Sequence, residues 1–133
     1  MTLFTVEQAN ATLPLVRKIL EDVVRQHGIW REKILELDLA TSGARIGEPS
    51  PAAEKLEHEV QKLAKEIAGY QRELESLGIA LKDPRLGLID FPSEMNGRKV
   101  LLCWRLGEGE VGFWHEMDTG YAGRQPLAPS LVG

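Results

Sequence analysis

Two stretches of the chain carry large, mostly apolar side chains in alternating steps of four and three residues. Val16, Leu20, Val23, His27, Trp30, Ile34 and Leu37 make the first, and Leu56, Val60, Leu63, Ile67, Tyr70, Leu74 and Leu77 the second. A step averaging about three and a half residues keeps the side chains on one stripe of an α-helix, and the partner that fits along such a stripe is another helix, as in a coiled coil. Between the stretches lie Thr41, Ser42, Gly43, Gly47, Pro49, Ser50 and Pro51, which break helical geometry. Ser50 and Pro51 supply an N-cap and a first-turn proline for a new helix, and Gly78 supplies its stop. A linker of about ten residues is short enough to fold the two helices back on each other as an antiparallel hairpin.

The start of the chain predicts a further, short helix. Thr5, Val6, Glu7 and Gln8 match a capping box, in which hydroxyl and amide side chain exchange hydrogen bonds with the backbone. Pro14 lacks an amide donor and disfavours helical geometry in the residue before it, so a break is expected near Thr12. The long helix then runs from Pro14 to about Leu39. It has spare apolar residues outside its seam at Leu15, Ile19, Val24, Leu35 and Leu39, whereas the outer face of its partner is mostly Glu, Lys, Gln and Arg. The first long helix is therefore expected to be covered on two sides.

After Gly78 the period changes to two. Gly87 to Pro92 reads as a strand, Asn96-Gly97 as a tight turn, Lys99 to Leu106 as a second strand, Gly107 to Gly109 as another turn, and Glu110 to Glu116 as a third strand. Lys82-Asp83-Pro84 reads as a turn leading into the sheet, and Gly120, Gly123, Pro126 and Pro129 predict an irregular tail. The expected fold class is α+β: a long antiparallel helical hairpin preceded by a short helix and followed by a small three-stranded antiparallel sheet. A length of 133 residues suits one domain over 1–133, with the hairpin in 1–78 and the sheet and tail in 79–133.

These residues resemble a known family. Phe4-Thr5, Ala9-Asn10, Leu13 to Val16, Leu81 to Pro84, Gly87 to Pro92, Leu102 to Glu108, Trp114 to Glu116 and Gly120 to Arg124 together resemble domain of unknown function 2203, an uncharacterised and mainly bacterial group. The resemblance spans most of the chain. It implies a fold group and supplies no activity, substrate, cofactor or catalytic residue.

Composition excludes several classes of function. A formal charge of −4 and a pI near 5.4 give no general attraction to a polyanion, and no basic run provides a local one, so no nucleic-acid partner is expected. Apolar runs are far shorter than the roughly 20 residues that span a bilayer, so no membrane partner is expected either. One cysteine makes no internal disulfide, and no charged start followed by an apolar stretch opens the sequence, so the expected location is cytoplasmic.

Chemistry-bearing residues concentrate between Leu102 and Arg124. Cys103, His115, Glu116 and Asp118, with Asp90 as a further carboxylate, offer thiolate, imidazole and carboxylate donors suited to a divalent metal. The plain alternative is that Cys103 packs as a small hydrophobe. Strand register decides between them. A two-residue loop pairs Cys103 with Trp114, while a three-residue loop pairs Cys103 with Phe113 and places His115 on the face of Cys103 and Arg105, where thiol catalysis also becomes geometrically conceivable. A second candidate set, Trp104, Arg105, Trp114, His115 and Arg124, with Tyr121 nearby, has the makings of a pocket for a small anionic or aromatic ligand, since guanidinium stacks on rings and grips carboxylate or phosphate. Here the plain alternatives are core tryptophans and an Arg124 that ties the tail to Glu116 or Asp118. His27 is expected to be a satisfied seam histidine, facing Tyr70, and His58 solvated.

Length adds a mechanical expectation. A helix from Pro14 to Leu39 extends about 39 Å, against about 26 Å for an eight-residue strand, so the sheet leaves its tip uncovered. A homodimer, with two hairpins forming a four-helix bundle, follows. Three functional readings are consistent with all of this: a non-catalytic ligand-binding or protein-interaction domain acting as a homodimer; a small metal-dependent enzyme, such as a hydrolase, using the Cys103, His115 and Glu116 region; and a structural spacer.

Overall fold

The computed structural model describes residues 2–42 and 50–127. Helix α1 spans Val6–Thr41 and helix α2 spans Pro51–Ser76. Five strands follow: β1 Ala80–Asp83, β2 Leu88–Met95, β3 Arg98–Arg105, β4 Phe113–His115 and β5 Gln125–Pro126, with a 3₁₀ turn at Tyr121–Gly123 before the last. They form one antiparallel meander in the order β1-β2-β3-β4-β5. The fold is α+β as expected, with two more strands. Gly43, Gly47 and Pro49 of the predicted linker, and Pro129 of the predicted tail, lie outside the described residues.

The helix ends obey local chemistry. At the start of α1 the Gln8 amide donates to Thr5 Oγ1 at 3.0 Å and the Thr5 amide donates to Gln8 Oε1 at 2.9 Å, the expected capping box. At the start of α2 the Ala53 amide donates to Ser50 Oγ at 3.2 Å. Its end is a Schellman turn: Gly78 takes φ +86°, its amide reaches Glu75 O, and the Ile79 amide reaches Leu74 O, both at 2.9 Å. Leu74 and Ile79 are both fully buried, so the turn is locked by the apolar contact that accompanies this motif.

The break expected near Thr12 is absent, and no separate first helix exists. Pro14 lies inside α1 on its solvent side, whereas Ala9 and Leu13 before it and Val16 and Leu20 after it are buried on one continuous stripe. A proline inside a helix removes the amide that would bond four residues back and crowds that carbonyl, at about 3 kcal/mol or more. Burying four apolar side chains on both sides of the kink site is worth more than that, at roughly 1.5–3 kcal/mol for each larger one.

Helices α1 and α2 run antiparallel, fixed in register by Gln26 with Glu66 (2.8 Å) and Lys33 with Glu59 (3.2 Å). The half of the hairpin nearest the sheet is a true core. Val16, Leu20 and Val23 pack with Ile89, Phe91, Leu102 and Trp104 from one face of the sheet. Beyond Val23 the character changes. Trp30, Ile34, Leu37, Leu56, Val60 and Leu63 are each only half-buried, and Leu35 and Leu39 are 63% and 78% exposed. Of the spare apolar residues of α1, Ile19 is buried and Val24 half-buried, but Leu15, Leu35 and Leu39 are exposed, so the two-sided cover holds only beside the sheet. No described helix is long and apolar enough to cross a membrane.

The β2–β3 hairpin closes through Asn96 and Gly97, both at positive φ (53° and 77°), the two-residue turn that matches strand twist. Two strands escape a period-two reading. β1 has four residues and a register shift between Leu81 and Asp83, and β5 is a two-residue edge strand containing Pro126.

Candidate functional site

The β3–β4 register places the chemistry. Cys103 pairs with Phe113, Leu102 with Trp114 and Leu101 with His115, the second of the two registers open to the sequence. The connection is longer than either imagined turn and spans residues 106–112. It is anchored from afar: the Val111 amide donates to Asn10 Oδ1 on α1 at 2.7 Å, and Trp104 Nε1 donates to Gly109 O at 2.9 Å.

Directly opposed residues of antiparallel strands share a face. Asp90 opposes Cys103, and His115 lies two pairs along and so on that same face, away from the helices. One ligand-type atom from each of these three residues lies within 4.8 Å of the other two. All three are buried, at 2%, 0% and 2% exposure for Asp90, Cys103 and His115. His115 is held at both nitrogens, Nδ1 by the Glu116 carbonyl at 2.7 Å and Nε2 by Asp90 Oδ1 at 3.0 Å.

Arg124 closes this face. It forms a two-pronged bond to Glu108, Nη1 to Oε1 at 3.1 Å and Nη2 to Oε2 at 2.7 Å, and its guanidinium stacks between Phe113 (3.9 Å) and Tyr121 (4.5 Å). Its Nη1 also lies 4.0 Å from Cys103 Sγ. The Glu108 carboxylate is also held by the Arg105 amide, which donates to Glu108 Oε1 at 2.8 Å. The anion-binding capacity of Arg124 is thus engaged by a carboxylate of its own chain, and the partner is Glu108 rather than Glu116 or Asp118.

The structure brings some predicted residues together and separates others. Cys103 and His115 meet, joined by Asp90. Glu116 turns its carboxylate to Arg98 at 2.8 Å, and Asp118 is exposed outside the cluster. The five residues read as a ligand pocket are split between the two sheet faces. Arg105, His115 and Arg124 share the outer side, with Arg105 Nη1 3.5 Å from the Tyr121 hydroxyl. Trp104 is fully buried on the helix side with Arg17 above its ring at 5.5 Å, and half-buried Trp114 faces the same way under Arg98. Glu108 was legible only as a turn residue. Asp90 had a stronger signal, an acid within the apolar run Leu88-Ile89-Asp90-Phe91, all of it buried.

His27 also departs from expectation. Its Nδ1 is buried without a hydrogen-bond partner, as is Trp30 Nε1, and the two rings lie 5.3 Å apart. They line a concavity of about 250 Å³ together with Ala64, Ile67 and Pro84. Burial first, then Arg31, lower the His27 pKa from its usual value. His58 is exposed as expected.

A family model described as "Uncharacterized conserved protein (DUF2203)" matches residues 2–127. The chain belongs to this family. No curated protein and no solved structure matches it. The DUF2203 match covers both helices, all five strands and the Arg124 closure, so the buried cluster and the exposed arm are both parts of the family's domain.

What the cluster can do chemically is set by burial. Desolvation, and after it the Asp90 carboxylate, push the Cys103 thiol up to about 11, against the weaker opposing pull of Arg124. A thiol is a nucleophile only as thiolate, so the Cys103 thiol beside His115 is not poised for attack. The native protein is expected to leave Cys103 unmodified by a disulfide reagent at about pH 8, where an ordinary thiol reacts readily, and to react fully in denaturant. Native-state labelling as fast as that of a free thiol contradicts this picture.

Proposed function

We propose that this DUF2203 domain is a non-catalytic protein-interaction module that acts as a homodimer through its helical arm. One observation carries the reading: beyond Val23 the large side chains of the hairpin seam are only half-buried, small Ala53 alone being buried among the described residues there, and Leu35 and Leu39 stand in solvent. Two helices joined at one seam bury too little apolar area to be rigid by themselves, whereas two hairpins packed as four helices enclose all of their seams. Concavities of about 240–260 Å³ along the arm, one of them lined by Trp30, Arg31, Ile34 and Leu35, are of a size to receive side chains of a facing hairpin. Closed two-fold pairing of identical surfaces is the commonest way for such a face to be covered.

A metal-dependent enzyme draws support from the Cys103–His115 juxtaposition, but an enzyme needs a substrate path to its reactive atoms. Asp90, Cys103 and His115 are each at least 98% buried, and Arg124, in an internal ion pair with Glu108, lies against Cys103. That arrangement favours the non-catalytic reading.

Light scattering on the eluting protein tests it. The expected particle has twice the 14.8 kDa chain mass at micromolar concentration, and Leu35→Glu with Leu39→Glu is expected to return it to a folded monomer. A wild-type particle of one chain mass overturns the proposal.

A further inference from the structure

We infer that Asp90, Cys103 and His115 form a binding site for one divalent transition metal of the zinc class, which ties strands β2, β3 and β4 together. Each strand contributes one donor on the same sheet face: Asp90 directly opposite Cys103, and His115 two pairs further along. The three donor atoms fall within 4.8 Å of one another, and Nε2 and Oδ1 are 3.0 Å apart. Zinc bond lengths of about 2.0 Å to nitrogen and oxygen and 2.3 Å to sulfur place tetrahedral donors roughly 3.3–3.6 Å apart. A pair at the full 4.8 Å closes by about 1.3 Å, shared between two side chains, to reach that separation.

The hydrogen bonding of His115 is the second, independent observation. A carbonyl oxygen only accepts, so the 2.7 Å contact with Glu116 O places the ring hydrogen on Nδ1. This backbone contact is also the arrangement that orients imidazole ligands of metals. Nε2 then directs its lone pair at Asp90 Oδ1, itself an acceptor when ionised, with both side chains almost fully buried. Two facing acceptors need a cation. A proton serves that pair alone and leaves Cys103 Sγ with only the 4.0 Å contact to Arg124, whereas one divalent ion satisfies all three donors.

Charge and donor type select the ion. A thiolate and a carboxylate neutralise a dication, while Arg124 and Glu108 neutralise each other above it. Sulfur with nitrogen and oxygen favours zinc or its neighbours over magnesium or calcium, which take oxygen sets. The structural need is visible too. β4 has three residues and is joined to β3 by the long connection 106–112, so a clamp from His115 to the β2–β3 hairpin fixes the strand that few ladder bonds hold.

Cobalt(II) added to chelator-stripped, full-length protein tests the site. The expected result is one equivalent bound with a sulfur-to-cobalt charge-transfer band, and a thermal midpoint raised by roughly 10 °C at a thousandfold excess over Kd. Cys103→Ser is expected to abolish the band, and Asp90→Asn to keep it with binding weakened about a hundredfold. A folded wild-type protein that binds no cobalt with that band overturns the inference, whatever the variants do. So does a Cys103→Ser protein that binds as wild type. Neither outcome depends on whether the arm dimerises.

Discussion

Trp104→Ala is expected to destabilise the domain by about 3–5 kcal/mol, the range for truncating a fully buried aromatic. Total stabilities of about 5–15 kcal/mol make this a large share. The indole is at zero exposure between the sheet and α1, among Val16, Leu20, Ile89 and Leu102. Truncation removes its packing and leaves a cavity that flanking helix and sheet cannot close without breaking their own contacts. It also strands the Gly109 carbonyl, which accepts from Nε1 at 2.9 Å and fixes the connection that sets the β3–β4 register. Trp104→Phe keeps most of the volume and isolates the hydrogen bond, with an expected loss of about 1–2 kcal/mol. Urea unfolding midpoints measure both. An alanine variant within about 0.5 kcal/mol of wild type, the range of a neutral surface change, means the ring is not core, and returns it to the exposed ligand-binding role that its sequence neighbourhood suggested.

Trp104 also shows where sequence reading runs out. Its type and its place beside Cys103 and Arg105 are local facts, but the face it occupies depends on pairing with Ile89 and on α1 lying across it. The hairpin was legible because a three-four repeat over two dozen residues has few other solutions, and its caps at Thr5 and Ser50 act within one turn. Pro14 was misleading for the opposite reason. Its effect on the backbone is local, whereas the burial of Ala9, Leu13, Val16 and Leu20 that keeps the helix continuous is supplied by distant strands.

The site was legible to the same depth. Asn96-Gly97 fixed one register from within the turn. The next register is held by Asn10, about a hundred residues away in sequence, so alternation in β3 and β4 left two choices. Cys103 with His115 followed from one of those choices. Asp90 was legible as a further carboxylate donor and as an acid among apolar neighbours, whereas the Glu108–Arg124 closure had no local mark, because its two halves sit on a connection and a tail with no period to read.

Removing one partner of the buried pair gives the second large effect. In the presence of chelator, Asp90→Ala is expected to cost about 3–5 kcal/mol, because losing one member of a buried charged or hydrogen-bonded pair leaves the other desolvated and unanswered. The orphan here is His115 Nε2, at 2% residue exposure and 3.0 Å from the missing oxygen. His115→Ala is expected to cost a similar amount by orphaning the buried Asp90 carboxyl group. The double variant distinguishes pair from packing. If the two side chains answer each other, removing both deletes the unpaired polar atom along with its partner, and the double loss falls below the sum of the single losses by about 1–3 kcal/mol. Strict additivity in urea unfolding shows that each residue acts on its own, and that the 3.0 Å contact binds nothing together. The same cycle repeated with saturating zinc is expected to show a larger coupling, since both side chains then share an ion as well as each other, and neither single variant retains the complete donor set.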